Sequence, residues 1–259
     1  MNVREAGHEV AREFAHSTYA QVLAEVPPAL YPYWAGTAQQ EFPGIPRDAS
    51  FYAQSVEGLM MFFDCVASAH RPCALPSRAA DTVWHAWIGM DEGGLQRFCI
   101  RHFGKTIPHV EKAKMREGMP GALAVCLVQA RRRASQPVGG PRLPRLFTLD
   151  GRLGMPGGFG YGIVGGMIAC STLDGLGHPG SDMRFPRELS PRGLLDAGLI
   201  GKDDFRKATG MAAPEPLMTW SGIGGDPGPD GGSGDGDGVS GDGGSACGGG
   251  CGGGGGCGS

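Results

Sequence analysis

Glycine is spread so unevenly along this chain that it divides the molecule before any motif is read. Of the 259 residues, the last 38, from Gly222 to Ser259, contain 21 glycines. A segment of that composition cannot bury enough apolar surface to offset its chain entropy, so residues 221–259 are expected to be a disordered Gly/Asp/Cys tail. The residues before it have an ordinary globular composition and are numerous enough to bury a sizeable core. Charge divides the same way. The tail holds Asp226, Asp230, Asp235, Asp237 and Asp242 with no Lys or Arg; the whole chain carries −3, which leaves the body near +2. A nearly neutral body argues against a dedicated nucleic-acid binder. The one basic run, Arg131-Arg132-Arg133, reads as a solvated helix end favoured by the helix dipole rather than a phosphate site.

No stretch approaches the ~20 apolar residues needed to span a bilayer, and the charged N-terminus lacks the apolar middle of a signal peptide. A cytoplasmic location is therefore expected. Cys65, Cys73, Cys99, Cys126 and Cys170 are scattered singly among apolar residues and read as buried, reduced thiols rather than a disulfide framework.

The pattern up to about residue 135 is helical. A first helix is expected over residues 3–25, ended by Pro27-Pro28. The aromatic, proline-rich stretch that follows reads as an ordered loop packed by Tyr31, Tyr33, Trp34 and Phe42. Asp48 or Ser50 can cap a second helix whose broad apolar face, with Phe51, Val56, Leu59, Met60, Phe63 and Val66, marks it as the central core helix. Ser77 can cap a third, which Gly93-Gly94 breaks. A fourth stops at Gly104, a left-handed C-cap, and the short break predicts that these two helices fold back as a hairpin. A fifth covers residues 121–133. From Ser135 the chain fills with turn formers. Residues 146–149 read as a short strand before an Asp150-Gly151 turn, and residues 157–166 read as too rich in glycine for either helix or strand. A short helix is expected at residues 191–197, with residues 203–208 continuing the polar end.

The informative segment runs from Pro76 to His109. Asp81 and His85 are four apart and share a helix face, where the carboxylate can fix the imidazole tautomer through one ring nitrogen and leave the other available. If the hairpin forms, His109 returns toward His85, and Cys99 and His102 on its second arm become further candidates. Two readings follow. In one, Asp81 and His85 form a structural polar lock with Trp84 in the core. In the other, Asp81, His85 and His109 hold zinc or another divalent metal. The absence of a compact His-x-x-x-His or Cys-x-x-Cys pair favours the lock.

The pattern Asp81-x-x-Trp84-His85, then Phe98-Cys99, then Phe103-Gly104-x-x-Ile107-x-His109 resembles the glycine-rich domain-containing proteins, over roughly residues 50–112. Many members of that family carry Trp-His-x-His; here the second histidine position holds Trp87. The resemblance implies no reaction.

Other signals carry less. The glycine-rich run at residues 154–166 lacks both the phosphate-loop pattern and the strand-to-helix setting of a dinucleotide fingerprint. No Gly-x-Ser-x-Gly elbow or His-Glu-x-x-His motif occurs. Cys247, Cys251 and Cys257 in the tail offer soft-metal binding, oxidation or enzymatic modification, against a plain solubilising tail. The sequence thus defines a mainly α protein: a helical domain over residues 1–135, a loop-rich segment of minor β content packed on it over residues 136–220, and the tail. Its functional reading is a non-enzymatic interaction or scaffold protein with a protein partner and no cofactor; the alternative is a metal-binding protein, including a metalloenzyme, using Asp81, His85 and His109.

Overall fold

The computed structural model describes residues 3–109, 118–140 and 142–210. The tail and its three cysteines lie outside the described residues. The fold is mainly helical with one small sheet. Its centre is α4 (Ala49–Ser68), which starts where an Asp48 carboxylate oxygen accepts the Phe51 N–H at 2.9 Å. Such a cap satisfies one of the amides that the first helical turn leaves without a partner. Helix α4 buries residues nearly all round, from Phe51 to Cys65, because α1 (Val3–Ala15), α5 (Arg78–Phe103) and α6 (Gly118–Arg133) all pack against it. Where α7 (Leu149–Leu153) crosses it, Gly58 is required: a Cβ there would lie 2.3 Å from a Leu149 methyl carbon.

The first expected helix is two. Helix α1 ends at Ala15, and a short α2 (Ala20–Leu23) follows after a turn. In that turn, Ser17 donates to Glu57 at 2.6 Å and Tyr19 to Asp64 at 3.0 Å, so contacts with α4 outweigh the helical propensity of the stretch. The expected aromatic loop is instead α3 (Leu30–Glu41). Pro32 sits in its first turn, where no intrahelical N–H is needed, so the proline is compatible with the helix. Leu30, Trp34 and Ala38, four apart, form its buried stripe. The Trp34 indole N–H donates to Thr82 Oγ1 at 2.9 Å, which ties α3 to α5.

Helix α5 carries one break, at Asp91, whose φ −161° and ψ 85° are not helical. The Asp91 carboxylate accepts the Gly94 N–H at 2.8 Å and caps the second arm. Gly94 leaves room for that carboxylate: a Cβ would lie 2.2 Å from it and push the exposed Asp91 side chain off the cap. The arms fold back on each other. The Trp87 and Phe98 ring centroids are 4.8 Å apart, whereas eleven residues of straight helix would separate them by about 16 Å. The expected hairpin is therefore present, with its corner at Asp91. Gly104, at φ +75°, ends the second arm as the expected left-handed cap.

The start of α5 is held from far away in the chain. Ser77 caps it through the Ala80 N–H. The buried Asp150 carboxylate accepts from Ser77 Oγ (2.6 Å), Arg78 N–H (2.8 Å), Ala79 N–H (3.0 Å) and Phe159 N–H (2.8 Å). A negative group at a helix N-terminus also complements the helix dipole. Burial pushes the Asp150 carboxyl above the ordinary carboxylate value, against the opposing pull of those four donors.

The expected strand at residues 146–149 is a turn leading into α7, because Leu146, Phe147 and Leu149 all point into the core and an alternating strand would turn some of them out. The sheet lies later: β1 (Phe159–Val164) pairs antiparallel with β2 (Met167–Thr172). The glycine-rich stretch is thus a hairpin. Gly165 and Gly166, both at positive φ, supply the two-residue turn that such a hairpin favours. Helix α8 (Pro191–Asp196) falls close to where it was expected, and the polar stretch after it is a further helix, α9 (Lys202–Thr209).

The arginine run ends α6, as expected, and is only partly solvated: Arg132 and Arg133 are exposed, Arg131 is not. Arg131 is buried and donates to the carbonyls of Val138 and Gly140, Arg132 donates to the Leu199 carbonyl, and Arg133 pairs with Asp64 at 2.9 Å. Arg131 and Arg132 fasten later segments to α6, and Arg133 ties it to α4. Among the described residues no helix is long and apolar enough to cross a membrane. Cys65, Cys73, Cys99 and Cys126 are buried, Cys170 is half-buried, and none of these five forms a disulfide.

Candidate functional site

The first arm of α5 has two faces. Ala79, Ala80, Thr82, Val83, Trp84, Ala86 and Trp87 are buried, while Asp81, His85 and Ile88 form the half-exposed margin beside them. Spacings of three and four residues keep that margin on one side of the helix. Past Gly104 the chain runs back along this arm. Ile107 is buried, its backbone hydrogen-bonds the Cys99 thiol, and His109 is set down next to Trp84. The His109 ring meets the Trp84 indole edge-on at 4.6 Å and the His85 ring at 4.8 Å.

Asp81, His85 and His109 therefore converge. His109 Nε2 lies 3.3 Å from Asp81 Oδ1, and His85 Nε2 lies 3.7 Å from the same oxygen. One ligand atom from each residue lies within 4.8 Å of the others. The three side chains are each about one-third exposed, at 32%, 31% and 28%. Donors around a tetrahedral zinc ion stand about 3.4 Å apart, so the two shorter separations are near those of a coordinated set.

The expected hydrogen bond between Asp81 and His85 is not formed, since 3.7 Å is too long for one. The partner of His85 is Glu41, at the C-terminal end of α3, whose Oε1 lies 2.6 Å from His85 Nδ1. Phe42, the next residue, packs edge-on against the His85 ring at 5.7 Å and lies under the Arg78 guanidinium. Glu41 escapes a sequence reading that makes residues 31–46 a loop; recognising α3 as a helix would have placed it at an end facing α5. A carboxylate on Nδ1 fixes the tautomer that leaves Nε2 as the lone-pair donor, aimed here at Asp81 and His109.

The other candidates do not join the cluster. Cys99 is fully buried, and desolvation pushes its thiol up to about 11, so it is no ready ligand. His102 pairs with Glu25 at 3.2 Å and packs on Phe98. Trp87 is fully buried.

What emerges is a mainly helical protein whose central hairpin presents two imidazoles and a carboxylate at its margin. The chain belongs to the UCP032817-like family, whose model matches residues 44–173, half of its length. Asp81, His85 and His109 lie inside the matched region, and Glu41 lies just ahead of it. No curated protein and no solved structure matches the chain.

Proposed function

We propose that the protein binds a divalent metal ion, zinc above all, through Asp81, His85 and His109, with Glu41 orienting His85. One observation carries this reading: three side chains, two of them 28 residues apart in sequence, bring ligand atoms within 4.8 Å of one another while staying open to solvent. Three protein ligands with an open fourth position is the arrangement of catalytic rather than structural zinc. The Glu41–His85 contact is the outer support that histidine ligands usually have. These residues could also hold iron(II), for which two histidines and one carboxylate are a common donor set.

The interaction-protein reading keeps one observation of its own. The short Glu41–His85 contact braces α3 against α5 without any ion, as a polar lock would. The same experiment separates the two. Purified without chelator and equilibrated with zinc, the protein should hold one equivalent by elemental analysis. His85→Ala and His109→Ala should each weaken binding at least a hundredfold. Less than a tenth of an equivalent in the parent protein would leave only the lock.

A further inference from the structure

A cavity of about 660 Å³ lies between α1, α2 and the start of α3, away from the cluster on α5. Its walls include Phe14, Leu23, Pro27, Pro28 and Tyr31, and none of its lining residues carries a charge. That volume and character match sites that hold small apolar molecules. Its floor includes Tyr52, a residue of the core helix α4 that is 1% exposed. Among the described residues the Tyr52 hydroxyl has no hydrogen-bond partner, although it is not sealed in the core, so it faces the cavity. Tyr31, which packs edge-on against Tyr52 at 5.0 Å, has its hydroxyl engaged by the Arg47 carbonyl at 3.2 Å. The hydroxyl is left to whatever fills the cavity, and a bound molecule with one polar atom gives it a hydrogen bond there.

Charge narrows the class of ligand. Burial pushes the Tyr52 phenol far above its ordinary value, so the hydroxyl stays neutral. Burial above all, and then the nearby Asp48 and Glu9 carboxylates, raise the Tyr31 phenol too; two carboxylates on that side disfavour an anionic head group. No carboxylate lines the cavity to neutralise a cationic one. We infer that this cavity binds a neutral, largely apolar small molecule, such as a medium-chain alcohol, whose single polar atom hydrogen-bonds the Tyr52 hydroxyl.

Full-length protein titrated into pyrene, a hydrocarbon whose emission reports polarity, should show one saturable apolar site. 1-Decanol should displace pyrene, and decanoate and decylammonium should do so at least tenfold more weakly. Tyr52→Phe keeps the ring and removes a hydroxyl that bonds nothing in the protein, so folding and pyrene uptake should stay unchanged while decanol affinity falls about fivefold. Ala11→Trp, at the exposed rim of the cavity, should abolish pyrene uptake. The assignment is overturned by the absence of saturable uptake, by uptake that Ala11→Trp leaves intact, by charged amphiphiles binding as well as decanol, or by decanol affinity that Tyr52→Phe leaves unchanged.

Discussion

Two aspartates within a turn of each other at the start of α5 have opposite settings. Asp150, brought in from α7, is buried and accepts four hydrogen bonds, all at 3.0 Å or less. Asp81, on α5 itself, is one-third exposed and faces two imidazoles at 3.3 and 3.7 Å. The first has every acceptor direction filled by donors of the fold and closes a junction between the helical hairpin and the β-hairpin. The second shares a hydrogen bond with His109 and stands 3.7 Å from His85, near enough for the three to share an ion. Burial and saturation mark a carboxylate that holds structure; partial exposure beside two imidazoles marks one suited to a ligand.

The contrast can be tested from its strongest consequence downward. Asp150→Ala leaves the Ser77 hydroxyl and three backbone amides without their acceptor in a dry environment. The expected loss is about 4 kcal/mol of unfolding free energy, read from the guanidinium midpoint. Asp81→Asn should instead leave stability within about 0.5 kcal/mol and weaken zinc binding about a hundredfold, some 2.7 kcal/mol, by calorimetric titration. A destabilisation by Asp81→Asn as large as that of Asp150→Ala would erase the distinction and favour the polar lock. Glu41→Gln removes the orienting charge from His85 and keeps its shape. It should lower zinc affinity about tenfold, the lower end of what outer partners contribute, with one equivalent still bound at saturation. Unchanged affinity would reduce Glu41 to a surface contact.

Several parts of this arrangement were legible in the chain. Asp48 and Ser77 as caps, Gly104 as a left-handed terminus and the apolar face of α4 are local signals, each acting within a turn of its own residue. The convergence of Asp81, His85 and His109 was legible too, because the break near Gly93 and the return past Gly104 leave a short path back. The errors share a cause. The Tyr/Pro/Trp stretch at α3 looks like a loop until Pro32 is placed in a first turn, and that placement depends on Trp34 finding Thr82. With α3 hidden, Glu41 was hidden as well. Arg131 looks as solvated as its two neighbours until Val138 and Gly140 fold over it. Residues 157–166 look unstructured until Gly165-Gly166 is seen as a turn rather than as glycine content.

The sequence by itself determined where α4 and α5 begin, where α5 ends, which face α4 buries and, given a hairpin, that His109 returns toward Asp81 and His85. Capping, periodicity and glycine at positive φ depend on neighbours a few residues away. Only the tertiary structure decided which acid holds His85, which acid closes the start of α5, and that the Tyr52 hydroxyl faces a cavity. Hydrogen bonds between residues as distant as Ser77 and Asp150 are set by how whole helices pack, and no local pattern encodes them.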